Sequence, residues 1–285
     1  FLYKKNIYTD HTFYFIKIGT DNGKRVENQA SLAGTTYTTT SFDGFNHFED
    51  DQRNLLHDWS GAQGSGKLFL GDLFSLVTER TYTNLFSFDN LEAGEEAILS
   101  GSFVSRSSSS TNFRVNTSGL EFISNTIGSV QLDQGENTFA RTGSFLESFQ
   151  PSNGNFSFTV KYSGTGESEG WLDYLAVNVR QKLQMTGSQL MFTDKKTLDY
   201  PSSTFELSNA EGVTIWDVTN PLYPFSQEAT EGSLKSFGAK TDILKNFIAF
   251  KSADNLFTAE AVGKVENQNL HGLDNIDMVI VYYSG

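Results

Sequence analysis

Read for its alternation of apolar and polar side chains, the chain is a succession of strands. The clearest is Phe156-Ser-Phe-Thr-Val-Lys-Tyr162, which sets Phe156, Phe158, Val160 and Tyr162 on one face and Ser157, Thr159 and Lys161 on the other. Successive strand side chains point to opposite faces, so a slip of one residue would expose all four apolar groups, and a firm register is predicted. The pattern recurs through 67–185 at the spacing of a sandwich: Thr81–Phe88, Glu96–Val104, Thr111–Val115, Leu120–Ile123, Ser129–Leu132, Thr138–Phe149, Asn155–Tyr162 and Trp171–Leu183. A jelly-roll-like pair of sheets is the expectation. Trp171–Leu183, alternating through Leu175, Val177 and Val179, reads as a half-buried strand that closes the sandwich. Arg106-Ser-Ser-Ser-Ser-Thr-Asn112 reads as a mobile polar loop tip.

The flanks are less regular. Residues 11–19 pattern as a strand, and Asp21-Asn22-Gly23-Lys24 supplies a hairpin turn. Glu49–Trp59 has the acidic start, the Leu55, Leu56 and Trp59 spacing and the Gly61 stop of a short helix, followed by a flexible connector at 61–66. That connector lacks the Gly-Lys-Ser/Thr ending and the strand-to-helix setting of a phosphate loop. Short strands are expected at Phe205–Leu207, Gly212–Thr219 and Asn246–Phe250, with the prolines of Asn220-Pro-Leu-Tyr-Pro224 ending the second of them. Met278–Tyr283 is an unbroken apolar run entered from a polar turn, the signature of a strand buried on both faces. It reads as the first strand of an α/β domain whose covering helix does not follow. Since Phe1 is not an initiator Met, the sequence is expected to be an internal piece of a larger protein.

The resulting expectation is a mainly β chain in three parts. They are an N-terminal β-rich region with a short helix (1–66), a jelly-roll-like β-sandwich (67–185), and a β-rich junction opening into an α/β domain (186–285). Composition agrees, with 25 Phe and 11 Tyr, plentiful Ser, Thr, Asn and Gly, and only 4 Pro. A formal charge of −13 argues against nucleic acid, which needs a cationic face. No apolar run approaches the about 20 residues of a membrane span. Zero cysteines exclude disulfides, cysteine-ligated zinc and a thiol nucleophile within these residues.

Candidate chemistry is sparse. His11, His47, His57 and His271 lack the short spacing of a metal site, and no Gly-x-Ser-x-Gly elbow anchors a hydrolase triad. Glu49, Asp50 and Asp51 could pair as acid–base carboxylates, but at the front of a helix they more simply stabilise its positive end. Trp59, Trp171 and Trp216 could stack sugar rings, although each also has an obvious core role. Asp10 and Asp21 with Asn22 offer calcium only a thin ligand set. On the residues alone, no catalytic, cofactor-binding or metal residue is assigned. A self-contained carbohydrate-binding or adhesin sandwich stands as one reading.

A second reading comes from collinear stretches. Glu266-Asn-Gln-Asn-Leu-His-Gly-Leu273 with Asp277-Met-Val-Ile-Val281 resembles the opening of the catalytic domain in the gingipain-like cysteine peptidases that serve as sortases of the type IX secretion system. Trp216-Asp-Val-Thr-Asn-Pro-Leu222 is similar to that family's junction before the catalytic domain. Trp171-Leu-Asp-Tyr174 with Arg180 and Leu183 resembles the end of its β-sandwich, and 12–19 with Gly23-Lys-Arg25 an upstream hairpin. The resemblance implies a cell-surface endopeptidase on the extracellular face of a bacterial outer membrane. Such an enzyme removes the C-terminal sorting domain of secreted cargo and attaches the cargo to a surface glycolipid through a thiolate acyl-enzyme. It implies an outer-membrane β-barrel protein and the cargo as partners. The family's catalytic His and Cys fall beyond Gly285, so these residues are expected to be scaffold and interaction surface, inactive alone.

Overall fold

The computed structural model describes residues 13–14, 20, 22–55, 68–132, 138–251 and 260–264. Almost all of their regular structure is strand, and the helical element among them is one 3-10 turn, Lys195–Asp199. The alternation of Asn155–Tyr162 is obeyed: Phe156, Phe158, Val160 and Tyr162 are buried while Ser157 and Lys161 face water. This strand pairs antiparallel with Glu79–Ser87 on one side and Phe113–Thr117 on the other, and Leu120–Ile123 completes a four-stranded sheet. The facing sheet runs Arg141–Phe149, Ala97–Arg106, Glu169–Lys182, Ser41–Glu49, with Leu73–Phe74 added beside the start of its longest strand. Between the sheets lies an aromatic core in which Phe103 stacks on Phe113 at 4.4 Å and Phe86 meets Phe158 edge-on at 5.5 Å. Offset and T-shaped ring pairs add about 0.5–1.5 kcal/mol each to the burial of the rings themselves.

Glu169–Lys182 departs from the expectation of a half-buried closing strand. It is central in its sheet, and both of its faces are covered. Leu172, Leu175, Val177 and Val179 enter the aromatic core. On the other side Trp171 joins Leu55, Leu70, Val104 and Ala140 in a separate cluster, and Asp173 and Arg180 are buried although charged in type. That cluster also explains why no helix begins at Glu49. Glu49 ends a strand, Arg53–Asn54 pairs with Phe69–Leu70, and burying Leu55 and Leu70 against Trp171 outweighs a weak helical pattern. Positions 56–59 of the expected helix lie outside the described residues.

A second core is built from two further sheets. One is ordered Glu27–Gln29, Phe225–Gln227, Val213–Asp217, Phe247–Lys251, Gln189–Phe192; the other is Lys235–Lys240, Ser202–Leu207, Tyr37–Thr39. Phe192, Phe205, Phe237 and Phe247 pack at its centre. The two early segments enter by parallel pairing, Glu27–Gln29 with Phe225–Gln227 and Tyr37–Thr39 with Ser202–Leu207, so among the described residues the N-terminal part adds to distant sheets.

Three smaller differences have local causes. Ser129–Leu132 forms no strand, because Val130 bonds singly to the Ser107 carbonyl instead of joining a ladder. The strand expected from Thr138 starts at Arg141, since the Phe139 carbonyl accepts from Arg106, whose guanidinium lies 4.2 Å from the Phe139 ring centre. The serine-rich 106–112 stretch is anchored at both ends. Ser107 meets Ser168 at 2.9 Å, Thr111 donates to Ser105 at 2.8 Å, and Ser105 meets the Tyr162 hydroxyl at 2.6 Å, all buried. Hydroxyls satisfied by each other are stable in a core where lone ones are not. Of the strand expected at 11–19 only Phe13 and Tyr14 are described, both exposed and outside any strand, while the 61–66 connector and Met278–Tyr283 lie outside the described residues.

Phe158→Ala is expected to lower stability by about 3–5 kcal/mol in urea unfolding, whereas Lys161→Ala on the solvent face of the same strand is expected to stay within about 0.5 kcal/mol.

Candidate functional site at the junction of the two cores

The long Glu169–Lys182 strand and its partner Ser41–Glu49 carry both cores. Phe42 stands opposite Gln181 in the first sandwich's sheet, yet its side chain packs in the second core with Leu183 and Met185. At that crossing Arg180 is 7 % exposed and its guanidinium donates to Asp43 Oδ1 at 2.6 Å, Asp194 Oδ1 at 2.7 Å and Ser41 Oγ at 2.6 Å. Asp43 uses its other oxygen to accept from the Lys195 amide at 2.7 Å. Asp194 caps the 3-10 turn by accepting from Lys196 N at 3.0 Å. Burial works against the charged guanidinium, but the bonds and charges of Asp194 and Asp43 outweigh it, and the net pKa direction is upward. Among the described residues, Arg180 Nε and Asp194 Oδ2 are buried without a partner. Complete, the arrangement is tolerated; opened, it leaves the fully buried Asp194 carboxylate without its cation.

Beside this clamp is a groove of about 520 Å³, lined among others by Phe42, Gly44, Phe45, Leu190, Met191 and Phe192. It lies between two sheet margins and is mainly apolar.

Farther along Ser41–Glu49 the sequence-selected carboxylates come together without a helix. His47 Nε2 lies 3.0 Å from Glu49 Oε2, and the His47 ring stacks on Tyr174 at 5.2 Å. Asp173 projects into the same neighbourhood. Burial raises its carboxyl to about 6, the Ser102 hydrogen bond pulls the other way, and the charges of Glu49 and Asp51 push it up again against a small opposing effect of His47. Among the described residues no group of three such side chains is placed to hold a metal ion. Trp171 is 1 % exposed in a core, and Trp216 meets Phe250 edge-on at 5.1 Å. Trp59, His11, His57, His271, Asp10 and Asp21 lie outside the described residues. Sequence reasoning named Arg180 only within the resemblance and missed its pairing with Asp43 and Asp194; the usable signal was an arginine directly after the core-facing Leu175, Val177 and Val179, since arginine is seldom buried unless paired.

With this geometry in view, comparison with known proteins is informative in one direction. No family model matches the chain, and no curated protein sequence is similar to it. Among solved structures, the chain is similar to the crystal structure of dimeric latent PorU from Porphyromonas gingivalis. The TM-score is 0.71 at 17 % identity, covering 88 % of this chain and 24 % of that one. The likeness establishes a PorU-like fold. The chain spans about a quarter of the length of the protein it matches.

Arg180→Met is expected to cost about 3–5 kcal/mol in urea unfolding, because Asp43 and Asp194 stay behind unpaired. Replacing Asp43 and Asp194 by Asn and Leu in the same chain is expected to recover most of that loss. A single substitution without effect would mean that the clamp is solvated.

Asp173 gives a pH signature. The folded state holds its proton up to about pH 6 and the unfolded chain releases it near 3.8, so this contribution favours the fold at low pH and is lost as pH rises through about 6. Asp173→Asn is expected to flatten stability between pH 4 and 6 and to raise it at pH 7 by about 2–3 kcal/mol. An unchanged pH slope in the variant would contradict this.

Proposed function

We propose that this chain is the non-catalytic N-terminal part of a type IX secretion system sortase, acting as scaffold and protein-interaction module for a cysteine peptidase. The observation that carries the reading is the PorU-like fold over 88 % of the chain, matching 24 % of that protein. In this reading the thiolate that attacks the scissile carbonyl of cargo lies elsewhere in the parent polypeptide, since this sequence has no cysteine. The collinear stretch is compatible with the same reading, with Trp171, Leu172, Asp173, Arg180 and Leu183 all buried.

In this reading the parent enzyme works at the extracellular face of the bacterial outer membrane. It docks on an outer-membrane β-barrel protein of the secretion system, cuts the C-terminal sorting domain from exported cargo and hands the cargo to a surface glycolipid. The present chain holds the peptidase unit in place and shapes the approach of cargo. A carbohydrate-binding sandwich fits less well, because Trp171 is sealed in a core and offers no face for a sugar ring.

The test uses the chain with a tagged cargo C-terminal domain and with the purified barrel protein. The expected outcome is no cleavage of the cargo and stoichiometric co-elution with the barrel. Specific cleavage by the chain alone, or failure to associate with the barrel, would overturn the reading.

A further inference from the structure

Two sheet margins meet at the groove. Ser41–Glu49 is the outer strand of its sheet and Gln189–Phe192 is the outer strand of the neighbouring five-stranded sheet. They touch where the Asp43 amide donates to the Thr193 carbonyl at 2.9 Å, and from that point Gly44 and Phe45 part from Phe192, Met191 and Leu190 around the opening. The direction of the main-chain groups follows from the pairing. Lys251 N donates to Ser188 O at 2.9 Å, and Leu190 and Phe192 stand opposite Ala249 and Phe247. In an antiparallel ladder every second residue bonds inward and the residues between them turn their N–H and C=O away. Gln189, Met191 and Thr193 therefore turn theirs outward, and Met191 and Thr193 line the groove. Among the described residues only the Thr193 carbonyl of this set is taken, and the Met191 side chain is 65 % exposed.

Such a margin accepts one kind of occupant well. A strand laid about 4.8 Å from Gln189–Phe192 would satisfy the outward amides and carbonyls, and its alternate side chains would fill the apolar opening. Charge says more about it. Past Phe45 the same strand runs on to the carboxylate of Glu49, followed by the exposed Asp50, in a chain of net charge −13. A segment running along the margin meets carboxylates, so basic residues complement it.

We propose that the opening is a docking site for an extended segment of a partner protein. The segment adds as a strand to Gln189–Phe192, places alternate apolar side chains in the groove and carries basic residues towards Glu49 and the exposed Asp50. The proposal goes beyond the sortase reading and stands without it.

Two fluorescein-labelled peptides test it on the whole chain by polarisation: one alternating Val and Thr with lysines at its ends, and a twin with glutamates there. The lysine peptide is expected to bind, losing affinity as salt rises, and its twin to bind about tenfold more weakly or not at all. Met191→Pro removes an outward N–H without touching the ladder to Phe247–Lys251, a placement proline tolerates at a sheet margin, and it is expected to weaken the lysine peptide about tenfold or more. Should circular dichroism show that this variant is unfolded, Met191→Lys, which fills the groove with like charge, is expected to give the same loss. No binding by either peptide, equal binding by both, or undiminished binding to a folded Met191 variant would overturn the proposal.

Discussion

One buried guanidinium fixes how this chain is put together. Arg180 sits at the end of the longest strand and bonds to partners from both directions of the sequence: Ser41 and Asp43 far upstream, and Asp194 just beyond the turn into the second core. None of these bonds is worth much net of desolvation. Their weight lies in the cost of breaking them, because opening the junction would strand the fully buried Asp194 carboxylate and leave the half-buried Asp43 without its cation. The same crossing sends Phe42 and Leu183 into the second core while Phe48, Val177 and Val179 farther back along the two strands pack in the first. Packing and charge therefore point to a single relative placement of the two sets of sheets.

That placement creates the features with functional interest. The groove exists because two sheet margins are pinned together at Asp43 and Thr193 and left apart beyond it. The acidic neighbourhood around Glu49 and Asp173 exists because the outer face of the long strand is covered and its polar side chains have been drawn in. Both suit a part that supports and recognises proteins, which is the role proposed from the PorU-like fold.

The strands of the first sandwich were readable because their cores are filled by side chains in strict alternation; Leu120–Ile123 and Asn155–Tyr162 have the expected bounds. Ser41–Glu49 escaped notice for a physical reason. Its phenylalanines fall at 42, 45 and 48, a spacing of three that puts Phe42 and Phe48 on one face and Phe45 on the other, which does not read as an amphipathic strand. Lys235–Lys240 is short of bulky residues because Gly238 must let the Leu32 carbonyl pass so close that no Cβ fits. Parallel partners such as Tyr37–Thr39 leave no hairpin signal at all. The clamp was invisible as a site, since an arginine and two aspartates this far apart in sequence share nothing but their meeting in three dimensions. The carboxylates at 49–51 were noticed, but their strand-end setting was hidden by a local pattern that favoured a helix.

Calorimetry of the intact chain beside Arg180→Met tests most directly whether the guanidinium makes one unit of the two cores. The expected result is a single cooperative endotherm for the unaltered protein that separates into two in the variant. Two independent endotherms in the unaltered protein, or one that stays single when Arg180 is gone, would contradict the account.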